Sequence, residues 1–114
     1  MAYSNTIRML PEECRSLAFG SIVAGYTAIG AALENPARII LVQNFTDAVL
    51  MFSFDGLTDH FPLSDGGHII IDIAANKTLG GGFFMAGGDT LYVKRVDIPT
   101  TNSVYFSAFY GTDG

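Results

Sequence analysis

Hydrophobic and polar positions alternate along most of this chain, in short runs that end at Gly, Pro, Asn or Asp. In residues 48–54, for example, Leu50, Phe52 and Phe54 lie at alternate positions, and their side chains are larger and more apolar than those between them. A period of two predicts strands whose apolar face points into a core. The predicted strands cover residues 16–23, 25–33, 38–43, 48–54, 61–63, 68–73, 83–85, 90–96 and 103–111.

Residues 37–56 contain the most regular of these patterns. Two apolar runs flank the polar sequence Asn44-Phe45-Thr46-Asp47, and Asp55-Gly56 closes the second run. Asn, Thr and Asp favour turns because their side chains bond nearby backbone groups. The segment therefore predicts a β-hairpin. Its second strand is apolar on both faces, so we expect the Val49 and Met51 face to be covered by another strand or subunit.

The Ala-rich segment 16–33 is predicted as two strands and not as a helix. Gly20, Gly25 and Gly30 recur every five residues, and each would cost a helix about 1 kcal/mol relative to Ala. About eight short strands at regular spacing predict an all-β fold, an antiparallel, jelly-roll-like β-sandwich. We expect one domain over residues 16–114, preceded by an N-terminal arm at residues 1–15.

Charge is scarce for a chain of 114 residues. Only 15% of residues are charged, against about 25% in an average globular chain. Such a surface favours contacts with other protein, and a homo-oligomer is expected. The net charge of −5 and six scattered basic residues argue against nucleic acid as a partner. No apolar run of membrane-spanning length and no leader pattern is present, so no membrane is expected.

Two sets of side chains could bind metal, although ordinary turn roles explain them better. The carboxylates of Asp55, Asp59 and Asp65 surround one loop but lack the spacing of a calcium loop. His60 and His68 flank a turn, as paired ligands do in cupin barrels, but no third His completes such a site. We expect no metal, no cofactor and no catalytic residue.

Other chemical motifs are equally incomplete. Cys14 is the single cysteine, which excludes an intrachain disulfide, and a buried or inert thiol is expected. Residues 80–82 are three glycines without the Lys of a phosphate loop. No Ser lies in a nucleophile elbow. Four aromatic residues could stack on sugars, but core or interface roles are commoner for strand aromatics. They are Tyr92, Tyr105, Phe109 and Tyr110.

Residues 33–111 resemble small structural proteins of tailed bacteriophages. The points of likeness are Asn35-Pro36-Ala37-Arg38 before a strand, Ser53-Phe54-Asp55-Gly56 after one, Tyr92-Val93-Lys94 and Val104-Tyr105-Phe106. The resemblance implies a non-enzymatic virion component, assembled in the host cytoplasm. It looks most like capsid decoration or cement proteins, which bind the major capsid protein or other virion proteins. Head–tail junction and tail proteins share the pattern.

These expectations lead to a capsid decoration or cement protein as the predicted function. A glycan- or receptor-binding sandwich that uses the Tyr residues is the alternative of another class, and a cupin-like enzyme is third. The arm is expected to contact a neighbouring subunit. The predicted protein-interface residues are Ile7, Met9, Leu10, Val49, Met51, Tyr92, Tyr105 and Phe109.

Overall fold

The computed structural model describes residues 7–72 and 88–113, and within these ranges the side chains of residues 10–110. A 3-10 turn over Phe19–Ser21 separates the second and third strands. The strands are β1 Ile7–Pro11, β2 Arg15–Ala18, β3 Thr27–Ala28, β4 Ile39–Asn44, β5 Leu50–Ser53, β6 Phe61–Leu63, β7 His68–Asp72, β8 Tyr92–Arg95 and β9 Ser103–Asp113. The predicted strand at 83–85 and the glycine loop at 80–82 lie outside the described residues.

The strands form two antiparallel sheets. Sheet A has the order β1-β9-β4-β7, with β2 also paired to β9, and sheet B has the order β3-β8-β5-β6. The facing orders β2-β9-β4-β7 and β3-β8-β5-β6 are the strand order of a jelly roll, in which the chain crosses between the sheets at most connections and β5 and β6 are neighbours in one sheet. The predicted all-β, jelly-roll-like sandwich is therefore confirmed.

A single apolar cluster fills the space between the sheets, as the alternation predicts. Leu50 and Phe52 from sheet B and Val104 and Phe106 from sheet A are fully buried, and Phe54 packs at the margin of the cluster. Burial of a side chain of this size stabilises the fold by about 1.5–3 kcal/mol. The predicted core face of β5 is therefore confirmed.

The predicted hairpin at 37–56 is wrong. β4 pairs with β7 and β9 in sheet A, while β5 pairs with β6 and β8 in sheet B. The turn between them is an arch that carries the chain from one sheet to the other. Alternation determines which face of a strand is buried, but it does not determine the neighbour with which the backbone pairs.

Asn44 holds this arch from inside the protein. Its side-chain amide donates to the carbonyl oxygens of Ala48 at 2.9 Å, Leu63 at 3.2 Å and Ser64 at 3.1 Å. Its side-chain oxygen accepts from the backbone N–H and the hydroxyl of Thr46, at 3.0 and 2.6 Å. One buried amide thus satisfies polar groups from both the β4–β5 and the β6–β7 crossings.

Two other segments differ from the predicted strands. Residues 16–33 contain only β2 and the two-residue β3, and the remainder runs as loop or turn. In the arm, residues 7–11 form β1, which pairs with residues 109–113 of β9. β4 reaches only as far as Phe109 along β9, so β1 and the end of β9 continue as a two-stranded ribbon. Contact between residues 1–15 and a neighbouring subunit stays a prediction.

Candidate assembly surface

The outward face of sheet B is covered by the chain's own loop at residues 54–60. Gly56 lies over the ring of Tyr92, so that a Cβ atom there would meet the ring carbons at 3.4 Å. Asp59 accepts a hydrogen bond from the Tyr26 hydroxyl and forms an ion pair with Lys94 at 2.9 Å. Lys94 lies 4.9 Å from the centre of the Tyr26 ring. The loop thus covers the part of this face that carries Tyr92 and Lys94.

These contacts shift the pKa values of Tyr26 and Asp59. Burial and the hydrogen bond to Asp59 raise the pKa of Tyr26, because ionised tyrosine could not donate to a carboxylate. The hydrogen bond from Tyr26 and the charge of Lys94 lower the pKa of Asp59. Both residues are held in the state that supports a structural contact. Neither is tuned toward neutral pH, as a general acid or base would be.

Asp55 organises the start of the same loop. It accepts from the backbone N–H groups of Leu57 at 2.8 Å and Thr58 at 2.9 Å, and from the hydroxyl of the buried Ser53 at 2.8 Å. The two backbone bonds and the Ser53 bond lower the pKa of Asp55. This carboxylate therefore closes a turn, which is the role expected of Asp before Gly.

The outward face of sheet A is apolar at its centre, along β7, β4 and β9. Leu41 lies between Ile70 of β7 and Ser107 of β9, and Ile39 lies beside Phe109. Leu41, Ile39 and Phe109 are half-buried, whereas Ile70 is 62% exposed. An apolar strip at the centre of a sheet face is typical of a protein contact. We name Ile39, Leu41, Ile70 and Phe109 the sheet A patch.

β7 adds a backbone edge to this patch. Within the described residues its one strand neighbour is β4. The N–H of Asn44 donates to the carbonyl of Gly67 at 2.8 Å, and hydrogen-bonded pairs alternate along an antiparallel ladder. Ile69 and Ile71 therefore direct their backbone polar groups toward β4, and Ile70 directs its groups toward the edge. Such an edge is a template for pairing with another strand.

The other edges carry features that oppose pairing. β3 has only two residues, and β6 has Pro62 at its centre, which cannot donate to a ladder. On the far side of sheet A, the edge is divided between β1 and β2, with Pro11 at the break. β7 has five residues, three of them Ile, and no Pro or Lys. It is the edge with the least protection among the described strands.

The predicted interface residues do not form one surface. Tyr105 and Phe109 lie on the outward face of sheet A, where Phe45 packs edge-on against Tyr105 at 5.5 Å. Met51 and Tyr92 lie on sheet B, and Met51 is opposite Pro62 and Lys94. Leu10 is half-buried in β1, and Val49 is half-buried beside the start of β5. The side chains of Ile7 and Met9 are not among the described ones. Their role as an interface stays a prediction.

Ile70 is not among these predicted residues. The run His68 to Ile73 predicts a strand, but three adjacent Ile give no indication of which one faces solvent. The usable signal is the flanking polar pair His68 and Asp72, which shares the parity of Ile70. That parity places Ile70 on the polar, outward side.

Three of the five candidate metal ligands, Asp55, Asp59 and His60, have other contacts. Asp55 and Asp59 bond to the groups described above, and Asp65 is exposed in the turn before β7. His60 accepts the backbone N–H of Phe54 at 2.9 Å, while His68 begins β7 on sheet A. Within residues 7–72 and 88–113, no three His, Cys, Asp or Glu side chains are grouped as metal ligands are.

A polar cleft of about 480 Å³ lies between the β1–β2 junction and residues 30–35. Arg15, 9% exposed at its side chain, donates to Glu12 at 2.9 Å and to the carbonyls of Ala31 at 2.6 Å and Ala32 at 3.0 Å. Burial would raise the pKa of Glu12, but hydrogen bonds from Glu34, Asn35 and Arg15 outweigh it, and the pKa is lowered. Arg15 and Glu12 thus neutralise each other, while Glu13 and Glu34 also line the cleft.

Cys14 is exposed, so of the expected buried or inert thiol the buried alternative is wrong and the inert alternative stays a prediction. It lies between β1 and β2, where the chain leaves the ladder with β9, and it accepts a hydrogen bond from the Ser107 hydroxyl at 3.5 Å. Ser107 belongs to the outward parity of β9, so the thiol lies at the surface of sheet A.

The part of the described chain that is not strand consists of loops and one 3-10 turn, and no helix in it could cross a membrane.

Comparison with known proteins gives little further information. No family model matches the chain, and no curated protein matches it. A solved structure of Bacillus endospore appendages, described as disulfide-linked pili, is similar over 92% of this chain and 88% of that chain, at 13% identity and a TM-score of 0.45. A likeness of this extent does not support a transfer of function.

The predicted function as a phage capsid decoration or cement protein is wrong. The similar structure belongs to a bacterial spore appendage, and no matching family or curated protein supports a phage component. The predicted capsid partner is likewise unsupported, and the virion location stays untested. The aromatic residues of the glycan-binding alternative do not share one face, since Tyr92 lies on sheet B and Tyr105 on sheet A.

Proposed function

We propose that this protein is a non-enzymatic structural subunit that associates with copies of itself through the β7 edge of sheet A. The observation that carries the proposal is the exposure of Ile70, 62%, at the centre of an apolar edge strand whose described strand neighbour is β4 alone. Soluble proteins usually protect such edges with Pro, Lys, a bulge or a covering segment. An unprotected edge in a chain of low charge is best explained by pairing with a partner strand.

The neighbouring surface supports the same role. Ile70 is directly opposite Leu41, and Phe109 continues the apolar strip two strands away. A partner strand beside β7 would extend sheet A and bring its own outward residues next to this strip. The charged clusters of the described residues meanwhile serve structural bonds, as shown for Asp55, Asp59 and Glu12. These contacts favour a structural subunit over an enzyme.

The test is the oligomeric state of the full chain over a range of concentrations. Five residues form a smaller contact than the roughly 1,600 Å² of a typical stable interface, so we expect dissociation constants on the order of micromolar or weaker. Sedimentation equilibrium should show concentration-dependent association of the unmodified protein. Ile70→Lys should reduce it at least about tenfold, because a charge at an edge opposes pairing.

Leu57→Lys provides the matched control. Leu57 is 87% exposed in the loop at residues 54–60, which covers sheet B rather than sheet A, and this change adds the same charge. It should leave association unchanged, while circular dichroism and thermal melting confirm that both variants fold. A protein that remains monomeric at millimolar concentration, or an Ile70→Lys variant that associates as the unmodified chain does, would overturn the proposal.

A further inference from the structure

We infer that β7 pairs with β7 of a second copy, antiparallel and about a two-fold axis through Ile70. This inference rests on the proposed function and specifies its geometry. It follows from the sequence of the strand, His68-Ile69-Ile70-Ile71-Asp72. The strand is self-complementary, because the same residues match each other when one copy is turned through 180°.

The backbone of β7 fits this arrangement. Hydrogen-bonded and non-hydrogen-bonded pairs alternate along the ladder with β4. The backbone N–H and C=O groups of His68, Ile70 and Asp72 therefore point toward the edge. An axis through Ile70 places Ile70 opposite the second copy's Ile70, and His68 opposite its Asp72. All three positions are then hydrogen-bonded pairs of the new ladder. An axis through Ile69 or Ile71 would also pair edge-directed backbone groups, but it would place Ile70 opposite His68 or Asp72 and lose the matched side chains.

The side chains at these positions are complementary. His68, Ile70 and Asp72 all lie on the outward face, opposite Gln43, Leu41 and Ile39 of their own sheet. Across the axis, two His–Asp pairs would therefore flank one Ile–Ile pair. Imidazole can donate a hydrogen bond in either protonation state. A carboxylate has about four acceptor positions, so Asp72 can accept it while keeping contacts within its own chain.

The inward residues of β7 extend the same contact into the core. Ile69 and Ile71 are partly buried and pack against the apolar cluster between the sheets. In the two-fold pair each Ile69 lies opposite the second copy's Ile71, at the closer spacing of a pair without hydrogen bonds. The two cores would become continuous at this point. A second copy therefore complements the backbone, charge and apolar groups of this edge together.

Two charge variants test the register. His68→Glu places a second carboxylate opposite Asp72, and Asp72→Lys places an ammonium group opposite His68, so each variant alone should associate about tenfold more weakly than the unmodified protein. In an equimolar mixture, the introduced carboxylate of one variant would face the introduced ammonium group of the other. The unchanged Asp72 of the first would face the unchanged His68 of the second. The mixture should recover dimers, and native mass spectrometry should show them to be heterodimers.

The variant that combines His68→Glu with Asp72→Lys carries both introduced charges in one chain. Two identical copies would then form both charge pairs across the axis, so this variant should form homodimers again. This result also shows that the substituted strand still folds and pairs. If the unmodified protein associates but the mixture gives no preferential heterodimer, the two-fold pairing is wrong and self-association stands. If the unmodified protein is monomeric at all concentrations, the proposed function fails as well.

Discussion

The side-chain amide of Asn44 lies 2.9 Å from the carbonyl oxygen of Ala48, inside the arch that joins sheet A to sheet B. The same side chain reaches Leu63 and Ser64 at the second crossing between the sheets. Since Asn44 is 1% exposed, solvent does not readily replace these bonds when the side chain is removed. A short polar segment that suggested a hairpin is instead the connection between the two layers.

Asn44→Ala should therefore destabilise the fold by about 2–4 kcal/mol, because it leaves buried carbonyl groups and the Thr46 N–H without partners. Chemical denaturation monitored by circular dichroism measures the change. Gln43→Ala is the control, since Gln43 lies next along β4 but on the half-buried outward face. Equal losses for the two variants would contradict the assigned role of Asn44.

Gly30 should not tolerate a side chain. Its φ is +70°, and a Cβ atom would lie 2.9 Å from the Cβ of Arg15. Gly30→Ala should cost about 2–3 kcal/mol, from the left-handed backbone and the contact combined. Gly25→Ala should change stability by less than about 0.5 kcal/mol, because nothing lies within 4 Å of that position. Thermal melting of both variants distinguishes a specific requirement for Gly at position 30 from a general intolerance of substitution in residues 16–33.

Arg15 and Glu12 should show strong coupling. Their side chains are 9% and 6% exposed and 2.9 Å apart. Arg15→Met would leave a buried carboxylate and the carbonyls of Ala31 and Ala32 without their donor, at a cost of about 3 kcal/mol. A double-mutant cycle with Glu12→Gln should give a smaller loss for the pair than the sum of the single losses. Strictly additive losses would show that the two side chains act independently.

Asp55 should make stability depend on pH in the acid range. Its pKa in the folded protein is lowered by the Thr58 and Leu57 N–H groups and by Ser53. The carboxylate therefore stabilises the fold above the unfolded-state pKa of about 3.9, and this contribution is lost as pH falls toward the folded-state pKa. Asp55→Asn should lower the melting temperature at pH 7 and have a smaller effect at about pH 2, within the window where the contribution is being lost. The same difference at both pH values would contradict this assignment.

Much of the fold could be predicted, and the candidate site could not. The alternation identified Leu50 and Phe52 as core residues, and both are fully buried. The described strands after residue 38 lie close to their predicted positions. The exposure of Ile70 was missed because it depends on β7 lying at an edge, and edge position is decided by which strands pair. Arg15 was missed because its partners Ala31 and Ala32 lie in a loop distant in sequence.

By itself, the sequence determined the fold class of this protein and the inward face of β5. A period of two apolar positions forms a buried face in any sheet, whatever strands lie beside it. Only the tertiary structure decided that β4 and β5 belong to different sheets and that, among the described strands, β7 ends sheet A. Backbone hydrogen-bonding groups are nearly the same for every residue, so pairing depends on how all the strands pack together. That packing leaves Ile70 at an edge and makes the arch at Asn44 a crossing between layers.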